Sequence, residues 1–170
     1  NKSKYGANAI LAVSEVVCKA AAVASNHPLY AWINILAQKV GLKQVIHIPT
    51  PLFNMINGGA HGAGNLDFQE FHIIPASSKT FSQSLQMGVE IYLTIGENLA
   101  RRGAIHSVGD EGGYAPNLFT NADALEVFVE SIKLTNYSLG RDIFLGLDVA
   151  ANHFYKGGEY LIRDKSTPMN

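Results

Sequence analysis

Apolar positions recur along this chain with two different periods. Over residues 5–24, Ile10, Leu11, Ser14, Val17 and Cys18 fall three or four apart and draw one predominantly apolar face of an alanine-rich helix. After Asn26-His27, Pro28 stands where a first helical turn accepts proline, and Leu29, Trp32, Ile33 and Leu36 make a second stripe that the Gly41 region ends. From Val45 the pattern changes to short apolar segments punctuated by Pro49 and Pro51, then a strand at 52–56 and a turn at Asn57-Gly58-Gly59. Residues 67–74 alternate: Phe68, Glu70, His72 and Ile74 face one way on a strand, Gln69, Phe71 and Ile73 the other. Gln69 and Glu70 therefore serve one site only near a strand end or a bulge.

The helical period returns over residues 81–102, where Leu85, Val89, Tyr92, Leu93 and Leu99 are expected on the apolar face and Gly103 at the end. Thr120 with Asp123 has the form of a capping box and opens a helix through Leu125, Phe128, Val129 and Ile132. The run 143–147 reads as a buried strand ending at Asp148. Strand, helix, loop, helix and strand in that order predict an α/β architecture, and the two leading helices a preceding helical layer, so the chain holds parts of two units. A carboxylate at the C-terminal end of a strand is where an α/β barrel would place a functional ligand.

Composition narrows the function classes. The 170 residues carry a net charge of -1 with neither a basic stripe nor a run of like charges, which argues against nucleic acid or an anionic lipid surface as partner. The single cysteine, Cys18, cannot form an internal disulfide, is expected as a buried thiol, and suits a cytoplasmic protein. Residues 7–24 are the longest weakly polar stretch, but Asn8, Ser14, Glu15 and Lys19 interrupt it, so no membrane span is expected. Both ends are expected to be cut, since the chain opens on Asn1 and residues 166–170 carry no helix or strand signal.

The most unusual string is Gly109-Asp110-Glu111-Gly112-Gly113-Tyr114-Ala115-Pro116-Asn117, with two adjacent carboxylates among glycines. Such a loop either brings backbone and carboxylate close to a ligand or is a solvated turn. Asp148 has the hard oxygen chemistry that suits magnesium, and equally that of a capping or loop-bonding aspartate. Asn57-Gly58-Gly59-Ala60-His61-Gly62-Ala63-Gly64 has the small residues that let backbone amides approach an anion. Asn65 stands where a Walker lysine would follow, and no third glycine completes a dinucleotide fingerprint, so ATP and NAD readings weaken. Taken alone, His61 is a loop residue open to either role, and Gln69 and Glu70 are open to reading as ordinary strand polar residues. No HExxH, CxxC or GxSxG motif is present.

In order, Asn1-Lys2-Ser3-Lys4-Tyr5-Gly6-Ala7-Asn8-Ala9-Ile10, Asn57-Gly58-Gly59-Ala60-His61, Phe68-Gln69-Glu70-Phe71, Gly109-Asp110-Glu111-Gly112-Gly113 and Gly146-Leu147-Asp148-Val149-Ala150 resemble enolase over nearly the whole chain. The resemblance implies an incomplete enolase-type TIM barrel over residues 43–170, preceded over residues 1–42 by helices that end an N-terminal α+β domain. It implies a phosphopyruvate hydratase, the lyase that reversibly dehydrates 2-phospho-D-glycerate to phosphoenolpyruvate in glycolysis and gluconeogenesis, with Mg2+ as cofactor. Glu111 would be the general acid for the departing hydroxyl, with Glu70 beside it. Asp148 matches the first of three carboxylate ligands of magnesium, and His61 and Gln69, with Glu70, match residues around the substrate.

The lysine base, the other two metal carboxylates and an arginine-serine phosphate site are expected beyond Asn170, and a mobile serine loop before Asn1, so the isolated chain is expected to be inactive. The resemblance implies a homodimer or higher homo-oligomer for the parent, a small-molecule substrate, and neither nucleic acid nor a membrane span. Gly62-Ala63-Gly64 departs from the family's usual loop pattern. A racemase or cycloisomerase of the same superfamily is disfavoured by the Gly-Asp-Glu-Gly-Gly string. A non-catalytic binding or scaffold protein descended from enolase is the alternative of a different class.

Overall fold

A computed structural model describes residues 3–42 and 46–169. The chain divides into two compact units, Asn1–Ile48 and Pro49–Asn170. The segment start expected at Val45 and the first two residues of the N-terminal motif lie outside the described residues.

In the first unit two helices pack on each other, α1 (Ala7–Ala24) and α2 (Leu29–Lys39). Helix α2 begins directly after Pro28, whose φ of -64° already suits a helical start. It ends in a Schellman motif: Gly41 sits at φ +87°, its N–H donates to the Gln38 carbonyl, and the Leu42 N–H reaches the Ala37 carbonyl. Helix α1 departs from expectation in its burial. Only Ala22 of this helix is buried, Cys18 is half-buried rather than buried, and Leu11, Val17 and Val23 stand exposed. The reason is that its apolar residues run nearly all round the helix, Val13 and Val16 included, while one short neighbour covers one side. By length and composition α1 is apolar enough to cross a membrane, with 18 residues of mean hydropathy 1.6. Its two charges, Glu15 and Lys19, pair with each other at 3.2 Å one turn apart.

The second unit is built on an open antiparallel sheet of β1 (Phe53–Asn57), β2 (Glu70–Pro75) and β3 (Ile143–Asp148), with β2 in the middle. Three strands do not close a barrel, as the expected incomplete barrel requires. A bulge at Met55 shifts the β1–β2 register so that Asn57 pairs with Glu70, and Glu70 pairs on its other side with Asp148. Three polar residues thus stand in one row at one end of the sheet.

Strand β2 alternates as expected, burying Phe71, Ile73 and Pro75. It starts at Glu70 rather than 67, because the amides of Asp67 and Phe68 donate to Asn121 Oδ1 at 3.1 and 3.0 Å instead of joining a ladder. Against the sheet lies α3 (Phe81–Arg101), which packs on β1, β2 and α4 (Asn121–Lys133). A capping box opens each helix, Thr80 with Gln83 and Thr120 with Asp123. Gly103, at φ +67°, ends α3 in a second Schellman motif. The shared core includes Ile56, Phe71, Ile91, Ile95, Val127 and Phe128, with the Phe71 and Phe128 rings 6.5 Å apart.

Two burial expectations need correction. Leu85, Val89 and Leu93 are exposed, and α3 buries Ser84, Met87, Gly88, Ile91, Ile95, Asn98 and Leu99 instead. The small residues decide the face: a Cβ on Gly88 would stand 2.9 Å from the Phe53 ring, so the strand approaches where the helix is thinnest. Strand β3 is not the buried strand expected either. Only Ile143 is buried and Phe144 and Leu147 are exposed, because β3 forms an edge of the sheet. A small hairpin of β4 (Tyr155–Lys156) and β5 (Glu159–Tyr160) follows.

Candidate active site

The glycine-rich segment after β1 folds back on itself. The Gly58 N–H donates to the Gln69 carbonyl at 2.9 Å and the Gly59 N–H to the Leu66 carbonyl at 2.8 Å, with a short 3-10 turn at Gly59–His61 between them. A side chain on Gly58 would collide with the Phe68 carbonyl, and Gly59 sits at φ +50°. Arg163 and Asn65 hold the segment from outside: the Arg163 N–H donates to Asp67 Oδ2 at 2.7 Å, and Asn65 Nδ2 donates to the Pro116 and Leu118 carbonyls. The fold-back delivers His61 to the first residue of β2.

There Glu70 is held from both sides. His61 Nδ1 lies 2.9 Å from its Oε1 and His72 Nε2 2.7 Å from its Oε2. Glu70 and His72 are two residues apart on one strand and share a face. Burial is the largest single influence on the Glu70 carboxyl and pushes it up. Hydrogen bonds with His72, Glu111 and His61, and the charge of His72, together outweigh burial and leave it below its ordinary 4.5.

Glu111 reaches this group from the second glycine-rich loop. The Gly109 N–H donates to the Gly113 carbonyl and the Gly112 N–H to the Gly109 carbonyl, closing a tight turn with Gly112 at φ +82° and Glu111 near its tip. Tyr92 steadies the turn from α3 by donating to the Gly112 carbonyl at 2.8 Å, and its ring stacks on Tyr114 at 4.4 Å. The Glu111 carboxylate comes to 3.3 Å from His61 Nδ1, with about half of its side chain exposed. One ligand atom each of His61, Glu70 and Glu111 lies within 4.8 Å of the others. His61, Asp110, Glu111 and Ser107 line an open cavity of about 570 Å³. A partly exposed carboxyl and an imidazole at a cavity wall, with a half-buried carboxylate behind them, can carry a proton between solvent-accessible substrate and protein.

Gln69 and Asp148 form a second, separate contact. Gln69 Nε2 donates to Asp148 Oδ2 at 3.1 Å, its N–H donates to the Asp148 carbonyl at 3.0 Å, and the Ala150 N–H donates to Asp148 Oδ1 at 3.1 Å. Gln69 immediately precedes β2 and so lies outside the strand's alternation. Glu70 and Asp148, paired across the sheet, bring the two contacts to the same end of it.

Residues 45–168 match the family described as enolase, C-terminal TIM barrel domain. The chain belongs to that enolase family. The five residues singled out from the sequence, His61, Gln69, Glu70, Glu111 and Asp148, thus lie in this enolase barrel segment in two contacting sets, His61–Glu70–Glu111 and Gln69–Asp148. Enolase family members are typically metal-dependent. Asp148 has the hard oxygen of a magnesium ligand, and its two hydrogen-bond donors would orient it. Among the described residues, however, Asp148 is part of no group of three His, Cys, Asp or Glu ligand atoms. The His61 set includes a nitrogen, which magnesium takes poorly. The described residues therefore do not assemble a magnesium site, and no chemical step is assigned to one.

Sequence reasoning missed His72 as a partner of Glu70 and Asn57 and Tyr92 as supports of the acid loop. The signal for His72 was available in the alternation of β2, which places it beside Glu70. Nothing in the sequence pattern pairs Tyr92 with a backbone carbonyl 20 residues on.

Proposed function

We propose that this chain carries the acid side of a phosphopyruvate hydratase, which reversibly dehydrates 2-phospho-D-glycerate to phosphoenolpyruvate. In the forward direction a base removes the proton from C2, the C2–C3 double bond forms, and the hydroxyl on C3 leaves as water after taking a proton from Glu111. Glu70, kept anionic by His72 and His61, accepts a hydrogen bond that orients the Glu111 carboxyl, and in the reverse direction Glu111 takes the proton back from the attacking water. His61 and Gln69 contact the substrate. The observation that supports this reading is the three-way contact of His61, Glu70 and Glu111 at the wall of an open cavity, in a chain of the enolase family.

Removing the C2 proton needs a base that survives beside an anionic substrate, and among the described residues no lysine lines the cavity. That base, and the further oxygen ligands that would join Asp148 around magnesium, are assigned to residues outside this chain. The parent is proposed to be cytoplasmic and homo-oligomeric; the exposed Phe81, Leu85, Val89 and Leu93 on α3 support an associating surface. The test is phosphoenolpyruvate formation from 2-phosphoglycerate with magnesium, by this chain and by a longer polypeptide that contains it. Activity in the longer polypeptide alone is expected. Turnover by the 170 residues alone overturns the assignment of the base, and failure of both favours a non-catalytic descendant.

A further inference from the structure

We propose that Asn57 is the positioning residue that holds Glu111 against His61. The inference rests on the acid reading above and deepens it. Asn57 ends β1, is 1% exposed, and stands behind the cavity described above rather than lining it. Its backbone ties the two loops' roots together: the Asn57 N–H donates to the Tyr114 carbonyl and the Tyr114 N–H to the Met55 carbonyl, both at 2.8 Å. Tyr114 directly follows the acid loop, and Gly58, directly after Asn57, starts the His61 loop.

The side chain is enclosed by two glycines of the acid loop, and the backbone carbonyl by one of the His61 loop. A Cβ on Gly109 would stand 2.5 Å from Asn57 Nδ2, one on Gly113 2.6 Å from Asn57 Oδ1, and one on Gly62 2.5 Å from the Asn57 carbonyl. These are distances at which no side chain fits, so the glycines that look like markers of a flexible loop are sites of close approach to one residue. The amide also has directed partners. Asn57 Nδ2 donates to the Gly113 carbonyl at 3.4 Å, the same carbonyl that accepts from the Gly109 N–H and closes the turn under Glu111. Asn54 Nδ2 donates to Asn57 Oδ1 at 2.7 Å and so fixes which way the amide points. The 3.4 Å bond is long, so the enclosure carries most of the positioning and the amide's orientation the remainder.

Asn57→Asp keeps the size of the side chain but aims a carboxylate oxygen at the Gly113 carbonyl, turning attraction into repulsion. The readout is the ring signals of His61 in a carbon–proton NMR correlation of the 170-residue chain. In the unaltered chain Glu111→Gln shifts them, because its carboxylate lies 3.3 Å from the ring nitrogen. In the Asn57→Asp background the same change is expected to leave them in place, while the amide signals of α3 and α4 keep their positions. Should Asn57→Asp fail to fold, Asn54→Ala carries the same comparison, since it removes the donor that orients the Asn57 amide and is expected to reduce the Glu111→Gln shift. A Glu111→Gln shift of equal size in the Asn57 and Asn54 variants and in the unaltered chain overturns the positioning role and leaves the acid cluster standing. No shift in the unaltered chain overturns the His61–Glu111 contact, and the positioning role with it.

Discussion

Replacing Glu70 by glutamine removes the charge at the centre of the cluster while keeping the side chain's shape. The carboxylate engages His61 at 2.9 Å and His72 at 2.7 Å through different oxygens, and its side chain is 14% exposed. Glutamine retains one carbonyl oxygen for one imidazole and turns an NH₂ toward the other, so one charge-assisted hydrogen bond is lost outright. Such bonds contribute about 1.5–3 kcal/mol each, and that is the expected loss of stability at neutral pH. The sign of the pH dependence follows from the direction of the shift. The folded-state value of Glu70 lies below its ordinary 4.5, so its contribution is present above pH 4.5 and fades as pH falls through the folded value. Glu70→Gln should therefore converge on the unaltered chain in acid. Urea unfolding across that range, followed through amide signals of β2, is the assay, because the single tryptophan, Trp32, reports on the other unit. A destabilisation of the same size at neutral pH and well below pH 4.5 refutes the reasoning, as does none at neutral pH.

Phe71→Ala should cost about 3–5 kcal/mol in the same unfolding measurement, since the ring is fully buried against Phe128 and Phe68; a loss below about 1 kcal/mol would contradict the core described here. Thr120→Ala should cost about 0.5–2 kcal/mol through loss of the α4 capping box, with raised amide exchange confined to the first turn of α4 as the check. Asp142 is pulled down to about 2 by hydrogen bonds first from Lys79, then from the Ser138 N–H and Arg141. Its contribution is complete above its ordinary 3.8 and lost as pH falls through about 2, so the stability difference between Asp142→Asn and the unaltered chain should shrink over that interval. A difference independent of pH there would show that the carboxylate's charge is not what holds the turn before β3.

The elements whose ends carry their own chemistry were legible in the sequence. Gly103 stops α3 and Thr120 with Asp123 starts α4 because caps act through neighbouring backbone, which a linear pattern records. The alternation of β2 likewise names its buried face. The burial of α3 was not legible, because the helix is apolar on two faces and only the approach of Phe53 to Gly88 selects one. The buried reading of β3 failed for a related reason: its residues suit an interior strand, and its place at the sheet edge depends on strand order. At the site, spacing alone left Gln69 and Glu70 on opposite faces. The late start of β2 takes Gln69 out of that alternation, and that start depends on Asn121, over 50 residues away in sequence.

The central claim is that Glu111 is the acid for the departing hydroxyl, with Glu70 and His61 holding it in place. In a longer polypeptide that contains this chain and turns over 2-phosphoglycerate, Glu111→Gln separates the two halves of the reaction. Phosphoenolpyruvate formation is to be measured beside exchange of the C2 proton with deuterated solvent. The account predicts that product formation is lost while C2 exchange persists, because the base lies elsewhere. Loss of both in equal measure, or retention of both, would contradict it.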